Sequence, residues 1–168
     1  MHTAALLLRI FGLLMVGGLA IACGESVAAS SACRNLVYDG DQGVARKEYL
    51  PCAGEMMAVL DELDAQTAAA FKGDSGARAE GQASLRKVKG LMQAAGGRKL
   101  LDRWRDRALM DLNVDINNAV THYQAFYMVR IIDEPDSRAA LTRQAAEAEL
   151  NGAQRRYNEA RGSYRGLR

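Results

Sequence analysis

The sequence predicts an all-α protein, an up-and-down antiparallel bundle of about four helices that follows an N-terminal signal peptide. Three observations lead there. At about 100° per residue, Leu101, Ala108, Leu109, Leu112, Ile116, Ala119, Val120, Tyr123, Phe126 and Tyr127 fall on one continuous face. Ala139, Ala146, Leu150, Ala153, Tyr157, Ala160, Tyr164 and Leu167 trace a heptad seam in which Arg143 is the one polar member. No period-two alternation of the kind a half-buried strand needs is sustained in the chain.

The first element is a targeting segment. Arg9 precedes an uncharged apolar run, Ile10 to Ala20, and small residues lead up to Cys23, which is the layout of a signal peptide over residues 1–22. The run is shorter than the roughly 18 residues that suggest a spanning helix. Two cleavage positions fit. Leu19-Ala20-Ile21-Ala22-Cys23 resembles a lipobox, in which Cys23 is acylated and becomes the first mature residue, and Val27-Ala28-Ala29 before Ser30 suits ordinary signal peptidase. The lipoprotein reading is the favoured one, and both readings export the mature chain.

Cysteine parity agrees with export. Setting Cys23 aside leaves Cys33 and Cys52, and an oxidising compartment lets them pair. Residues 23–50 read as an irregular lead-in tied down through Cys33, ahead of a helical domain over 51–168.

In that domain Pro51 suits a helix's first turn, where its missing N–H has no partner to lose. Ala53, Met56, Leu60, Leu63, Thr67 and Ala70 carry the first helix to about Phe71. The stretch Lys72-Gly73-Asp74-Ser75-Gly76 is a turn, and a second helix spans about Ala77 to Ala95 with Gly81, Leu85, Val88 and Met92 on its seam. The third helix is predicted from Leu100 to Ile132, the longest in the chain, and the sequence leaves open whether it is continuous or bent near Asn113 to Asn118. Asp133 to Asp136, with Pro135 among them, separates it from the fourth helix, which Asp136 or Ser137 caps.

Composition excludes more than it suggests. The chain has 168 residues, with Lys+Arg 22 against Asp+Glu 20, and these are interspersed, so no basic block for a nucleic-acid backbone stands out. The basic opening of the third helix (Arg98, Lys99, Arg103, Arg105, Arg107) is interleaved with Asp102 and Asp106, a pattern that favours pairing within the helix. His122 shares a flank with Trp104, Asp111 and Asp115, but Asp115 and His122 are about 10 Å apart along a helix and cannot share an ion alone. There is no CxxC, no nucleophile–base pair and no phosphate loop, so neither catalysis nor a metal or other cofactor is expected.

Two short stretches look like known families. Arg155-Arg156-Tyr157-Asn158-Glu159-Ala160 with Tyr164 resembles the final helix of LemA-type envelope proteins, although that family's first helix, with its tryptophan and Leu-Ile-Pro run, has no counterpart here. Cys33, Cys52, Met57 and Leu60-Asp61, with Trp104-Arg105-Asp106, resemble small exported helical inhibitors of lysozyme, at different spacings. The first likeness implies an envelope protein and the second an enzyme inhibitor.

The expectation is therefore an exported bacterial envelope protein, in the periplasm or on the outer face of the membrane, held there by a lipid if Cys23 is acylated. It would act as a helical interaction module, through self-association or with another envelope protein. The partner surface is placed at Tyr157, Tyr164 and Leu167 or on the open part of the Leu109 to Ile131 face. Alternatives are a small-molecule or metal-binding bundle, with a cavity lined by Tyr123, Phe126 and Tyr127, and an inhibitor of an extracytoplasmic enzyme such as lysozyme.

Overall fold

A computed structural model of the chain describes residues 31–34, 36, 38–39, 43–44, 46–96, 106–129 and 137–168. Residues 1–30, with Arg9, the apolar run and Cys23, lie outside the described residues, as do Arg98, Lys99, Arg103, Trp104 and Arg105. Among the described residues the protein is helical, with five helices: α1 (Ser31–Arg34), α2 (Arg46–Phe71), α3 (Ser75–Ala94), α4 (Arg107–Met128) and α5 (Ser137–Leu167). Between α1 and α2, β1 (Tyr38–Asp39) pairs antiparallel with β2 (Gly43–Val44), Tyr38 opposite Val44. The lead-in thus holds a helical turn and a short ladder where irregular chain was expected.

The disulfide between Cys33 and Cys52 joins α1 to α2 across a Cα–Cα distance of 4.7 Å, as the cysteine parity anticipated. Leu36, three residues after Cys33, belongs to the same buried core as Tyr49 and Met56. α2 begins at Arg46, five residues before Pro51, so the expected start is corrected. Pro51 has no N–H to give to the carbonyl four residues back. Contacts of the extra turn outweigh that loss: Tyr49 is fully buried with its hydroxyl on Asn113 Oδ1 at 3.0 Å, and Arg46 binds Asp106.

The turn after Phe71 needs glycine, because Gly73 has φ +101°, in the left-handed region. Asp74 then caps α3 by accepting from Ala77 N at 2.9 Å. Gly96, with φ +95°, follows the end of α3 in the same way.

Two expectations about the third helix are corrected. α4 begins at Arg107, where the Asp106 carboxylate accepts from Ala108 N and Leu109 N, and it ends at Met128. At 31 residues α5 exceeds α4, with 22, and is the longest helix among the described residues. No boundary falls at the asparagines. Asn117 Nδ2 donates to Asn113 O at 2.8 Å, the buried Asn113 takes the Tyr49 hydroxyl, and α4 runs on through all of them.

Cross-helix contacts give the helix directions. Glu62 meets Lys87, and Gln66 packs beside Gly81, so α2 and α3 run oppositely. Asp115 meets Arg156 and His122 meets Glu149, so α4 and α5 do too. Tyr49–Asn113 and Asp64–Tyr123 set α2 and α4 running the same way. The main core lies between them, with Leu60, Leu63, Leu109, Leu112 and Ile116 fully buried. A smaller cluster of Ala70, Phe126, Ala146 and Leu150 closes the end near the α4–α5 connection.

Candidate interaction surfaces

Helix α2 presents hydrogen-bond acceptors to the core at three-residue intervals, and each takes a tyrosine hydroxyl. Tyr157 donates to Asp61, Tyr123 donates to Asp64 at 2.9 Å, and Tyr127 lies 3.0 Å from Thr67 Oγ1. Thr67 gives its own proton to Leu63 O at 2.6 Å, so the Tyr127 hydroxyl is the donor of its pair. The phenols keep their protons. Burial, then the hydrogen bond and charge of Asp61, pushes Tyr157 up to about 12. Burial and the adjacent Asp64 charge raise Tyr123 further, and burial raises Tyr127.

This network corrects the expected partner surface at its central residue. Tyr157 is 5% exposed, and with its hydroxyl on Asp61 it belongs to the α2–α5 contact, where a heptad seam meets its neighbour. Tyr164 and Leu167 are half-buried against the same core. Tyr164 instead helps to line a shallow open depression of about 320 Å³ with Lys47, Leu50, Pro51 and Arg168, and Arg168 lies 5.8 Å from the Tyr164 ring centre.

The residues considered for ligand or metal are placed differently from one another. Tyr123 and Phe126 are fully buried, and Tyr127 stacks edge-on to Phe126 at 5.1 Å, so these rings fill the space between helices. His122 does not join Asp111 or Asp115. Its Nδ1 lies 2.8 Å from Glu149 Oε2 on α5, and its ring sits over Gly152, where a β-carbon would come within 2.9 Å. Asp115 faces Arg156 at 3.9 Å, and burial together with nearby Glu159 raises its carboxyl. Asp111 is 4.0 Å from Arg107. Among the described residues, no group of three or more His, Cys, Asp or Glu side chains could hold one metal ion, and no helix is long and apolar enough to cross a membrane.

Open apolar surface lies at the other end of the molecule. Met128 and Leu141 are 76% and 65% exposed, the largest values among the big apolar side chains described. Both lie beyond the His122–Glu149 contact, toward the α4–α5 connection, and flank the smaller core cluster. Residues around them are held firmly: Arg78 donates to Tyr127 O at 3.3 Å and Val129 O at 3.1 Å, and Arg143 lies 5.3 Å from the Phe71 ring centre. Leu141 fell outside the heptad seam, and that off-seam position was the available signal for its exposure. Comparison with protein-family models, with curated proteins and with solved structures returned no match to this chain.

Proposed function

We propose that the protein is an exported, non-enzymatic interaction module of the bacterial envelope: an up-and-down antiparallel bundle of α2 to α5, tethered by lipid at Cys23, that binds a partner through its Met128–Leu141 end. Arg9, the apolar run and the small residues before Cys23 support export, with cleavage after Ala29 as the soluble alternative. The antiparallel contacts of α2 with α3 and of α4 with α5 support the bundle.

The observation that carries the binding reading is the pair of exposed side chains on a rigid frame. Met128 and Leu141 leave apolar area in water at one end, while the seams of α2, α4 and α5 are closed by their own contacts. A flexible thioether and a leucine exposed at the same end suit a packed protein contact. A second copy of the chain is the simplest partner, and another envelope protein is the next.

Chemical crosslinking in intact cells tests this. The parent chain gives a discrete adduct, and Met128→Glu combined with Leu141→Glu removes it while the far-ultraviolet circular dichroism is unchanged. A parent that runs only at monomer mass, or a double variant with the same adduct, overturns the reading.

A further inference from the structure

We infer that the opposite end of the bundle is an electrostatic docking face for anionic phospholipid headgroups, so that the molecule stands on the membrane with Met128 and Leu141 pointing away. The tether rests on the export reading above, whereas the face rests on the fold alone.

Three separate elements bring exposed cations to this end. α5 contributes Arg161 and Arg165, and Arg168 follows directly after that helix, at the i, i+4, i+7 spacing of one helix face. α2 contributes Lys47 from its first turn, and α1 contributes Arg34, held close by the disulfide to Cys52. The arginines of α5 alone would be explained by the helix dipole, which favours cations near a C-terminus. Lys47 falls outside that explanation, because it sits in the first turn of α2, where the dipole disfavours a cation. Glu48 and Glu55 are the acids of this part of α2, and Asp106 is already bound by Arg46 at 2.8 Å. Among the described residues, these five cations outnumber the two α2 carboxylates, Glu48 and Glu55.

The depression between α2 and α5 gives the face its chemistry. Lys47 and Arg168 line it together with Leu50, Pro51 and the Tyr164 ring, a mix of cations and apolar surface that matches an anionic headgroup with its first acyl carbons. The route of the chain points the same way. Residues 1–30, with the apolar run, join the described structure at α1, which belongs to this end. A membrane anchor upstream of α1 brings the cations to the surface and leaves the end that carries Met128 and Leu141 farthest from it.

Vesicle experiments on the full chain test the face separately from the tether. In a Cys23→Ser background, Gly166→Cys or Met128→Cys carries a fluorophore, and vesicles of phosphatidylcholine, with or without phosphatidylglycerol, contain a headgroup-quencher lipid. Flotation reports association, and quenching reports orientation. The position-166 label is expected to be quenched several-fold more in anionic than in zwitterionic vesicles, and the position-128 label in neither. Raising salt to 1 M, where the screening length falls to about 3 Å, should abolish the difference. Arg161→Glu, Arg165→Glu and Arg168→Glu together should lower the preference for anionic vesicles roughly a hundredfold, at about fivefold per cation. Flotation with neither vesicle, or equal flotation and equal quenching at position 166 whatever the lipid, overturns the face. The tether, absent from this background, is tested separately by the intact mass of the native protein.

Discussion

The hydroxyl of Tyr127 occupies the space that a β-carbon at Gly81 would need, so α3 and α4 meet there only because residue 81 has no side chain. Gly90, in the same helix, has nothing within 4 Å of that position. Propensity alone would reward alanine at both sites by about 1 kcal/mol. At Gly81 the new methyl must displace a phenol oxygen bonded to Thr67, at an overpacking cost of about 1–3 kcal/mol. Gly81→Ala is therefore expected to lower stability by up to about 2 kcal/mol, and Gly90→Ala to raise it by up to about 1 kcal/mol. Urea denaturation midpoints check both. Tyr127→Phe should relieve part of the Gly81→Ala loss and none of the Gly90→Ala gain.

The apolar pattern made much of the helical arrangement legible, because each seam registers one face of one helix. Ala146, Leu150, Ala153, Tyr157 and Ala160 are all buried as the heptad reading of α5 requires, and α2 ends at Phe71 as its spacing predicts. Helix starts were harder to read. Arg46 and Asp106 bind each other across 60 residues of sequence, and a contact of that range leaves no local signature. Placing a tyrosine on a seam also does not say whether its hydroxyl finds an acceptor. The seam puts Tyr157 on the core face, but only the fold shows that its hydroxyl meets Asp61 there, which takes it out of any partner surface.

Reduction tests the disulfide. The bond between Cys33 and Cys52, at sequence separation 19, closes a loop of 18 residues (34 through 51), for which chain entropy gives about 3 kcal/mol. Reduced protein should unfold at lower urea and keep its helical signal in buffer, since α2 to α5 also meet through contacts that do not involve either cysteine. An unchanged midpoint would count against any stabilising role for the bond.

Intact-mass measurement of protein from its native envelope tests export. The expected species starts at Cys23 and carries acyl chains, and one starting at Ser30 would favour the soluble form. A chain still beginning at Met1 would sink both.

The tyrosine network predicts where alkaline unfolding sets in, and the sign follows from the direction of the shifts. Tyr157 is pushed up to about 12 from an ordinary value of 10.0, and Tyr123 is raised as well, each by burial and a neighbouring carboxylate. Above pH 10 the unfolded chain releases these protons while the folded chain retains them. Stability from both residues is therefore intact below pH 10 and declines as pH climbs from there toward the folded-state values. Each tyrosine can contribute a slope of at most about 1.4 kcal/mol per pH unit in that window. Urea midpoints at pH 8, 10 and 11 should be level between the first two and fall at the third. Tyr157→Phe should start less stable by about 1–3 kcal/mol, because Asp61 loses its donor, yet decline less steeply between pH 10 and 11. Parent and variant curves that fall in parallel would show that the Tyr157–Asp61 pair does not hold that proton in the fold.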